Sequence, residues 1–129
     1  MPLVKLTTRK TRTRAEKDAL LLGVHQALVD AFHIPKDDCY CRIETLDPAD
    51  FIVPPGKSDA FVLIEIGAFP GRSIDAKRKL YAGIIEILGK QGIAPADIFI
   101  TVNEMPLDNW GIRGGVPASD IQLGFKLDV

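Results

Sequence analysis

The chain has 129 residues, which is enough for one domain but not for two independent ones. Hydrophobic residues make up 47% and charged residues 26%, which excludes a disordered chain, and the net charge of -1 provides no field to attract nucleic acid or an anionic membrane. No apolar run approaches the roughly 18 residues that span a bilayer, and no signal-peptide pattern is present, so we expect a cytoplasmic protein with neither nucleic acid nor membrane as a partner.

The first part of the chain carries a strand–helix–strand pattern. Residues 2–8 are rich in branched side chains and predict a strand. A capping box opening at Thr13, followed by apolar residues at helical spacing, predicts a helix that runs to about His33. Pro35 blocks its continuation, and residues 39–46 predict a second strand.

The same order of elements then occurs again. The segment 47–59 is rich in proline and predicts a turn-rich connection, after which residues 60–66 predict a strand. Ser73 caps a second amphipathic helix, and Gly92 marks its end. Residues 98–102 predict the last strand of this unit.

The two units form an internal repeat with an offset of about 60 residues, so that Leu20, for example, falls on Leu80. Crossovers of this kind are right-handed, and two of them can form one four-stranded sheet with both helices on one face. We therefore predict an α+β fold. It is a single domain over residues 1–129, made of two β-α-β repeats at about 2–46 and 60–104.

The other face of such a sheet lacks a cover. The second and fourth strands carry apolar residues on both faces, among them Tyr40, Ile43 and Phe99, which predicts that the uncovered face packs against other subunits. The tail, residues 111–129, begins as a glycine-rich loop. The alternating segment 121–127 predicts a short strand that could pair with the edge of a neighbouring subunit.

Two residue types that often carry chemistry are interpreted as structural. Cys39 and Cys41 lie two apart on a predicted strand, with poor geometry for a mutual disulfide. We expect them to be small buried side chains, with no metal or redox role. His25 lies on an apolar helix face, which favours a hydrogen-bonded structural histidine over a catalytic one.

Several short segments occur in a characteristic order along the chain. They are Pro2-Leu3-Val4-Lys5, His25, Ala31-Phe32, Pro35, Asp38, Tyr40, the turn Phe69-Pro70-Gly71-Arg72-Ser73, and Asn109-Trp110. Together they resemble the tautomerase superfamily and, more narrowly, its malonate semialdehyde decarboxylase branch. The resemblance implies a tautomerase-like fold, a homotrimer without cofactor or metal, and an N-terminal proline nitrogen that works as general base or general acid.

The chemistry of Pro2 agrees with this resemblance. Removal of Met1 would turn the Pro2 nitrogen from a tertiary amide into a secondary amine, which can accept a proton. A primary α-amino group titrates near 7.7 to 8.0, and an apolar or cationic pocket lowers that pKa. A lowered pKa provides a base at neutral pH, and an unlowered one provides an acid. The structural alternative is that Pro2 merely begins an edge strand.

Arg72 and Ser73 lie at the start of the second helix, where free backbone N–H groups and a guanidinium can bind a carboxylate. Arg72 is thus a candidate for both catalysis and substrate binding, and Ser73 for substrate binding. The decarboxylase branch carries two arginines flanking the proline of this turn, whereas this chain has one. That difference makes decarboxylation the second hypothesis.

The remaining candidates each have a structural alternative. The resemblance implies that Asp38 activates water or positions the proline, but Asp97 at the matching place in the second repeat makes a shared structural role equally open. Tyr40 could donate a hydrogen bond to substrate or be a half-buried aromatic residue. Trp110 and Ile112 could line an apolar wall around the proline or pack against the tail.

The favoured hypothesis is cofactor-independent keto–enol proton transfer on a small 2-oxo acid. Neutral Pro2 is the base, Arg72 holds the carboxylate, and Asp38 or Tyr40 polarises the oxygen. One alternative is decarboxylation of a 3-oxo acid such as malonate semialdehyde by cationic Pro2, or hydration of an unsaturated three-carbon acid. Another is a non-catalytic trimer that binds a small acid.

Overall fold

Two strand–helix–strand units follow one another in the computed structural model, which describes residues 1–129. In chain order the elements are β1 (Pro2–Thr8), α1 (Arg14–Phe32), β2 (Tyr40–Thr45), β3 (Val62–Ala68), α2 (Ile74–Lys90) and β4 (Ile98–Glu104), followed by a small hairpin of β5 (Gly111–Ile112) and β6 (Val116–Pro117). Neither helix is long and apolar enough to cross a membrane.

The predicted elements of both units are present, with shifts at the ends of the strands. β3 begins at Val62 and not at residue 60, because Ser58 organises a turn: the backbone N–H of Phe61 donates to its carbonyl and that of Ala60 to its hydroxyl. β4 runs on to Glu104, beyond the predicted end at residue 102.

The four main strands form one mixed sheet in the order β2-β1-β3-β4. Each unit contributes a parallel pair, β1 with β2 and β3 with β4, and the units join through the antiparallel pair β1 and β3. The register places Pro2 opposite Ala68 and Ala68 opposite Glu104, so these three residues form one row at one end of the sheet. The predicted fold class is confirmed.

Both helices pack on one face of the sheet, and the core lies between the helices and the sheet. Alternate strand residues such as Val4, Leu6 and Ile64 are buried there. Gly23 allows the helices to approach closely, because a Cβ at this position would lie 2.5 Å from Ile87 Cγ2. Burial of the apolar helix faces stabilises this layer at about 25 cal/mol per Å².

The capping residues begin and end the helices where the sequence indicates. The Thr13 hydroxyl accepts from the Glu16 backbone N–H while the Glu16 carboxylate accepts from that of Thr13. His33 ends α1 in a left-handed conformation with φ 55°, and Gly92 follows α2 with φ 85°. These positions fix the directions in which the chain leaves each helix.

The opposite face of the sheet is uncovered within the chain. Leu3, Tyr40 and Phe99 are 46%, 52% and 58% exposed on it. Charged side chains lie beside them, including an ion pair between Lys5 and Glu44 at 3.4 Å.

The C-terminal tail differs from the prediction. The predicted strand over 121–127 is wrong, since that segment has no strand structure and the only pairing in the tail is the hairpin β5–β6. Its alternating apolar side chains instead pack on their own chain: Phe125 and Leu127 join the cluster around Trp110. The backbone N–H of Ser73 donates to the carbonyl of Val129 at 2.9 Å, which holds the end of the tail beside α2.

The expectation that the two cysteines are buried is also wrong. Cys39 is exposed and Cys41 partly exposed, because β2 is the edge strand of the sheet and is covered on its helix side only by α1. Both are free thiols, and their sulfurs lie 3.6 Å apart. Burial, followed by the hydrogen bond from Cys39, raises the pKa of the Cys41 thiol to about 12.

Candidate active site

A cavity of about 650 Å³ opens where β1 begins, at the end of the sheet that carries the Pro2 row. Its volume suits a small ligand. Eight of its twelve lining residues are hydrophobic, and its polar groups are few. The lining residues are Met1, Leu3, Pro35, Asp38, Tyr40, Phe69, Trp110, Gly111, Ile112, Arg113, Leu123 and Phe125.

The N-terminal amine of Met1 lies against the Asp38 carboxylate at the inner end of this cavity. Burial, and then the positive charge of Arg72, lower the pKa of this amine from 8.0 to about 5. The Asp38 contact favours the charged amine and acts in the opposite direction. Burial and Arg72 therefore favour the neutral form of an amino group at this position.

Pro2 is buried at the start of β1 and does not line the cavity while Met1 precedes it. Its nitrogen is bonded to the Met1 carbonyl and is an amide. Loss of Met1 would open the cavity to this nitrogen, which lies no more than about 3.8 Å from the present amine. The Pro2 amine would then be close to Asp38 and Arg72.

Arg72 is buried next to the cavity residue Phe69, with only 6% of its surface exposed, and is not itself a lining residue. Its Nη1 donates to the Phe69 carbonyl at 3.0 Å, and its guanidinium carbon lies 5.0 Å from the centre of the Phe32 ring. Nε and Nη2 are buried without a partner. Burial lowers the pKa of Arg72, and the charge of Glu104 opposes this. Two unpaired donors on a buried cation are rare and indicate a ligand.

The turn that carries Arg72 is held by Glu104, which the sequence analysis missed. One carboxylate oxygen of Glu104 accepts from the Gly71 backbone N–H at 3.0 Å, and the other pairs with Lys77 on α2. Gly71 has φ 119° and lies against Leu127 of the tail, so a larger residue would be strained there. Only the register of β4, which aligns Glu104 with Pro2, could have pointed to this role.

Ser73 uses its polar groups within the chain. Its hydroxyl accepts from the Ala76 backbone N–H at 3.0 Å, and its own N–H is bonded to Val129. It does not line the cavity. A role for Ser73 in substrate binding would require the tail to move away.

Trp110, Ile112 and Tyr40 all line the cavity. Trp110 is nearly buried: its Nε1 donates to the Met105 carbonyl at 3.1 Å, and its ring meets the Phe69 ring edge-on at 4.9 Å. It therefore forms a rigid wall and packs the tail at the same time. Tyr40 is half exposed, and its side chain is accessible to a ligand.

Arg113 is a second cavity residue that the sequence analysis missed. It lies in the turn of the β5–β6 hairpin with φ 50°, a conformation that costs energy for a residue other than glycine. The following pair of glycines, Gly114 and Gly115, indicates a tight turn in the sequence, but nothing in the sequence indicates that the turn faces Pro2. Arg113 adds a positive charge to a cavity that otherwise holds Asp38.

The structure separates the roles of the two repeated aspartates. Asp97 accepts from the backbone N–H of Ser58 at 2.8 Å and from its hydroxyl at 2.6 Å, and these bonds hold the pKa of Asp97 below its usual range. Asp38 has no such partner in the chain and instead contacts the N-terminal amine. Each aspartate contacts the residue or turn that precedes the first strand of its own repeat. Asp38 contacts the N-terminal amine before β1, and Asp97 binds the Ser58 turn before β3.

We expect Asp97→Asn to lower the free energy of unfolding by about 1–3 kcal/mol at pH 7 and to leave activity unchanged, because Asp97 binds only the Ser58 turn. The lowered pKa means that this stabilisation is full above the ordinary aspartate pKa of 3.8 and is lost as the pH falls through the folded-state pKa. Urea unfolding at pH 7 and pH 3 measures both effects.

Asp38→Asn provides the matched comparison in the first repeat. It should lower activity and leave the unfolding free energy of the processed chain nearly unchanged. Equal losses of stability in the two variants would mean that the aspartates share one structural role.

Two strand–helix–strand repeats in one mixed sheet, with a partly buried amine just before the first strand, define a small protein with a tandem β-α-β fold. Residues 38–113 match the family model Tautomerase_2, described as tautomerase enzyme, and the chain belongs to that family. It is thus an enzyme of the isomerase type, and the solved structures that resemble it include decarboxylases. The non-catalytic alternative therefore loses its support.

Relatives and solved structures agree with this membership. The probable tautomerase YusQ of Bacillus subtilis (strain 168) is 23% identical over 121 residues, which cover 89% of this chain and 95% of YusQ. A malonate semialdehyde decarboxylase with decarboxylase and hydratase activities is 28% identical, with a TM-score of 0.84 and coverage of 93% and 99%. The FG41 malonate semialdehyde decarboxylase inhibited by 3-bromopropiolate is 30% identical, with a TM-score of 0.80 and coverage of 91% and 92%.

Proposed function

We propose that this protein is a cofactor-independent tautomerase that moves a proton on a small 2-oxo acid, with the Pro2 amine as general base. One observation carries the proposal: a partly buried amine contacts Asp38 in a mostly apolar cavity, and the charge of Arg72 acts on it. The same surroundings would lower the pKa of a Pro2 amine, so that it is neutral and able to accept a proton at pH 7.

Each polar group has a part in the transfer. The unpaired Nε and Nη2 of Arg72 would hold the substrate carboxylate through two hydrogen bonds once loss of Met1 opens the cavity towards them. Pro2 takes a proton from the carbon next to the carbonyl, and the electron pair moves to the carbonyl oxygen, where the Tyr40 hydroxyl can donate a hydrogen bond. Protonated Pro2 is stabilised by Asp38 and then returns its proton to that oxygen, which completes the enol.

Ultraviolet assays of the processed chain with enol phenylpyruvate and with 2-hydroxymuconate test this function. If the same surroundings lower the pKa of the Pro2 amine, kcat/KM should be constant near pH 7 and fall as the pH drops through that pKa. Rates at the buffer background for both substrates would refute the proposal. A kcat/KM that falls as the pH rises would assign Pro2 the acid role.

A second candidate is decarboxylation or hydration of a three-carbon acid. The similarity to two malonate semialdehyde decarboxylases favours it, and Arg113 provides the cavity with a second cation that the 69–73 turn lacks. It ranks second because cationic Pro2 would have to stabilise the developing enolate, whereas the surroundings lower the amine pKa. Proton NMR for acetaldehyde formed from malonate semialdehyde distinguishes the two reactions.

We also propose that three copies assemble through the uncovered sheet face. Fused 4-OT proteins with this fold, at 22% and 18% identity, are described as symmetric and asymmetric trimers. The exposed Leu3, Tyr40 and Phe99 provide an apolar surface for such contacts. Light scattering should give the mass of three chains, and the mass of one chain would refute this assembly.

A further inference from the structure

A second group of reactive side chains lies where α1 covers the edge strand β2, outside the proposed catalytic cavity. It consists of His25 on α1, Cys39 just before β2 and Cys41 within it. One ring nitrogen of His25 and the two sulfurs all lie within 4.8 Å of one another. The proposed proton transfer uses none of the three.

The spacing of the sulfurs matches a tetrahedral metal ion. With Zn–S bonds of about 2.3 Å and a Zn–N bond of about 2.0 Å, tetrahedral geometry places two sulfurs about 3.8 Å apart and a sulfur about 3.5 Å from the nitrogen. The sulfurs of Cys39 and Cys41 are 3.6 Å apart, so they already have this spacing. The distance between the imidazole nitrogen and each sulfur has to shorten by at most about 1.3 Å to reach this geometry. The exposed Cys39 side chain is free to rotate.

The hydrogen bond of His25 prepares its ring for a metal. Nε2 lies 2.7 Å from the Lys36 carbonyl oxygen. A carbonyl oxygen only accepts, so Nε2 is the donor of this hydrogen bond and Nδ1 is the ring nitrogen left for a metal. A backbone carbonyl that holds the other ring nitrogen is the usual second shell of a metal-binding histidine.

We propose that His25, Cys39 and Cys41 bind one Zn²⁺ ion per chain, with water in the fourth, open position. Strand alternation places Tyr40, which lies between the cysteines, on the opposite side, and Asp38 directly precedes them. The ion would fix the segment that carries these two cavity residues and would take no part in proton transfer. This inference does not depend on the proposed function.

Titration of the reduced, chelator-treated protein with Co²⁺ and then Zn²⁺ tests the site. We expect saturation at one Co²⁺ per chain with a sulfur-to-cobalt charge-transfer band in the near ultraviolet, and stoichiometric Zn²⁺ should abolish the band. Cys39→Ser should weaken Zn²⁺ binding at least about tenfold, because losing a ligand costs no less than losing a second-shell partner. Cys39 is exposed, so this variant should fold.

The chain has two histidines, and the second provides a matched control. His33→Asn should leave the cobalt spectrum unchanged, since asparagine tolerates the left-handed conformation at that helix end. His25→Asn should weaken Zn²⁺ binding at least about tenfold, as Cys39→Ser does. Absence of the charge-transfer band, or an identical band in a folded Cys39→Ser protein, would overturn the site. Neither result bears on tautomerase activity.

Discussion

A chain that keeps one residue ahead of Pro2 is expected to have a kcat/KM at least about 100-fold below that of the processed chain, since positioned general bases contribute that much or more. The physical reason is twofold. An acylated Pro2 nitrogen is an amide and cannot accept a proton. The extra residue also occupies the inner end of the cavity, as Met1 does in this structure.

The comparison requires two samples that differ only at the N-terminus. An intact-mass spectrum of each shows whether Met1 is present, and the enol phenylpyruvate assay is then run on both. Circular dichroism should be identical, because β1 and its pairing are the same in each. Equal activity of the two samples would exclude the Pro2 amine as the base. Processed Pro2→Ala keeps an N-terminal amine but lacks the pyrrolidine ring. It therefore separates the effect of losing the ring from the effect of losing the amine.

Arg72→Met is expected to lower kcat/KM by about 10²–10³, the usual cost of losing a preorganised group that stabilises developing charge. Arg72→Lys should not restore the activity, because a lysine presents a point charge and lacks the planar pair of donors that matches a carboxylate. Steady-state kinetics of the processed variants measure both effects.

The stability of Arg72→Met should be unchanged or higher, although a buried charged residue is removed. The two unpaired buried donors of Arg72 cost about 1–3 kcal/mol each, which together equals or exceeds the roughly 1.5–3 kcal/mol contributed by its one charge-assisted hydrogen bond to Phe69. Methionine fills much of the same volume over Phe32 without these donors. Urea unfolding of the variant measures the difference.

Arg78 provides the matched control, since it is an exposed arginine on α2, the helix that follows Arg72, and is paired with Asp75. Arg78→Met should change neither kinetics nor, by more than about 0.5 kcal/mol, the free energy of unfolding. An Arg72→Met protein that unfolds readily and keeps its activity would show that Arg72 serves the fold and not the substrate.

The repeated β-α-β order could be predicted from the sequence because it depends on local chemistry. The capping box at Thr13 and the serine cap at Ser73 satisfy free N–H groups within one turn of helix, and both occur where the sequence indicates. The tail was mispredicted because the alternation over 121–127 indicates that one face is apolar. It does not indicate what that face contacts, which here is the cluster around Trp110. A strand also requires a partner edge, which tertiary packing did not provide.

The candidate site could be predicted only in part. The sequence by itself determined the helix caps, the strand order within each repeat and the proline at the start of the first strand. Tertiary structure alone decided that Asp38 faces the N-terminal amine while Asp97 binds a turn, that Arg72 is buried with two free donors, and that Arg113 lies on the cavity wall. The physical reason is that helix capping depends on residues within one turn in sequence, whereas desolvation, charge and long-range hydrogen bonds depend on segments that only the tertiary fold brings together.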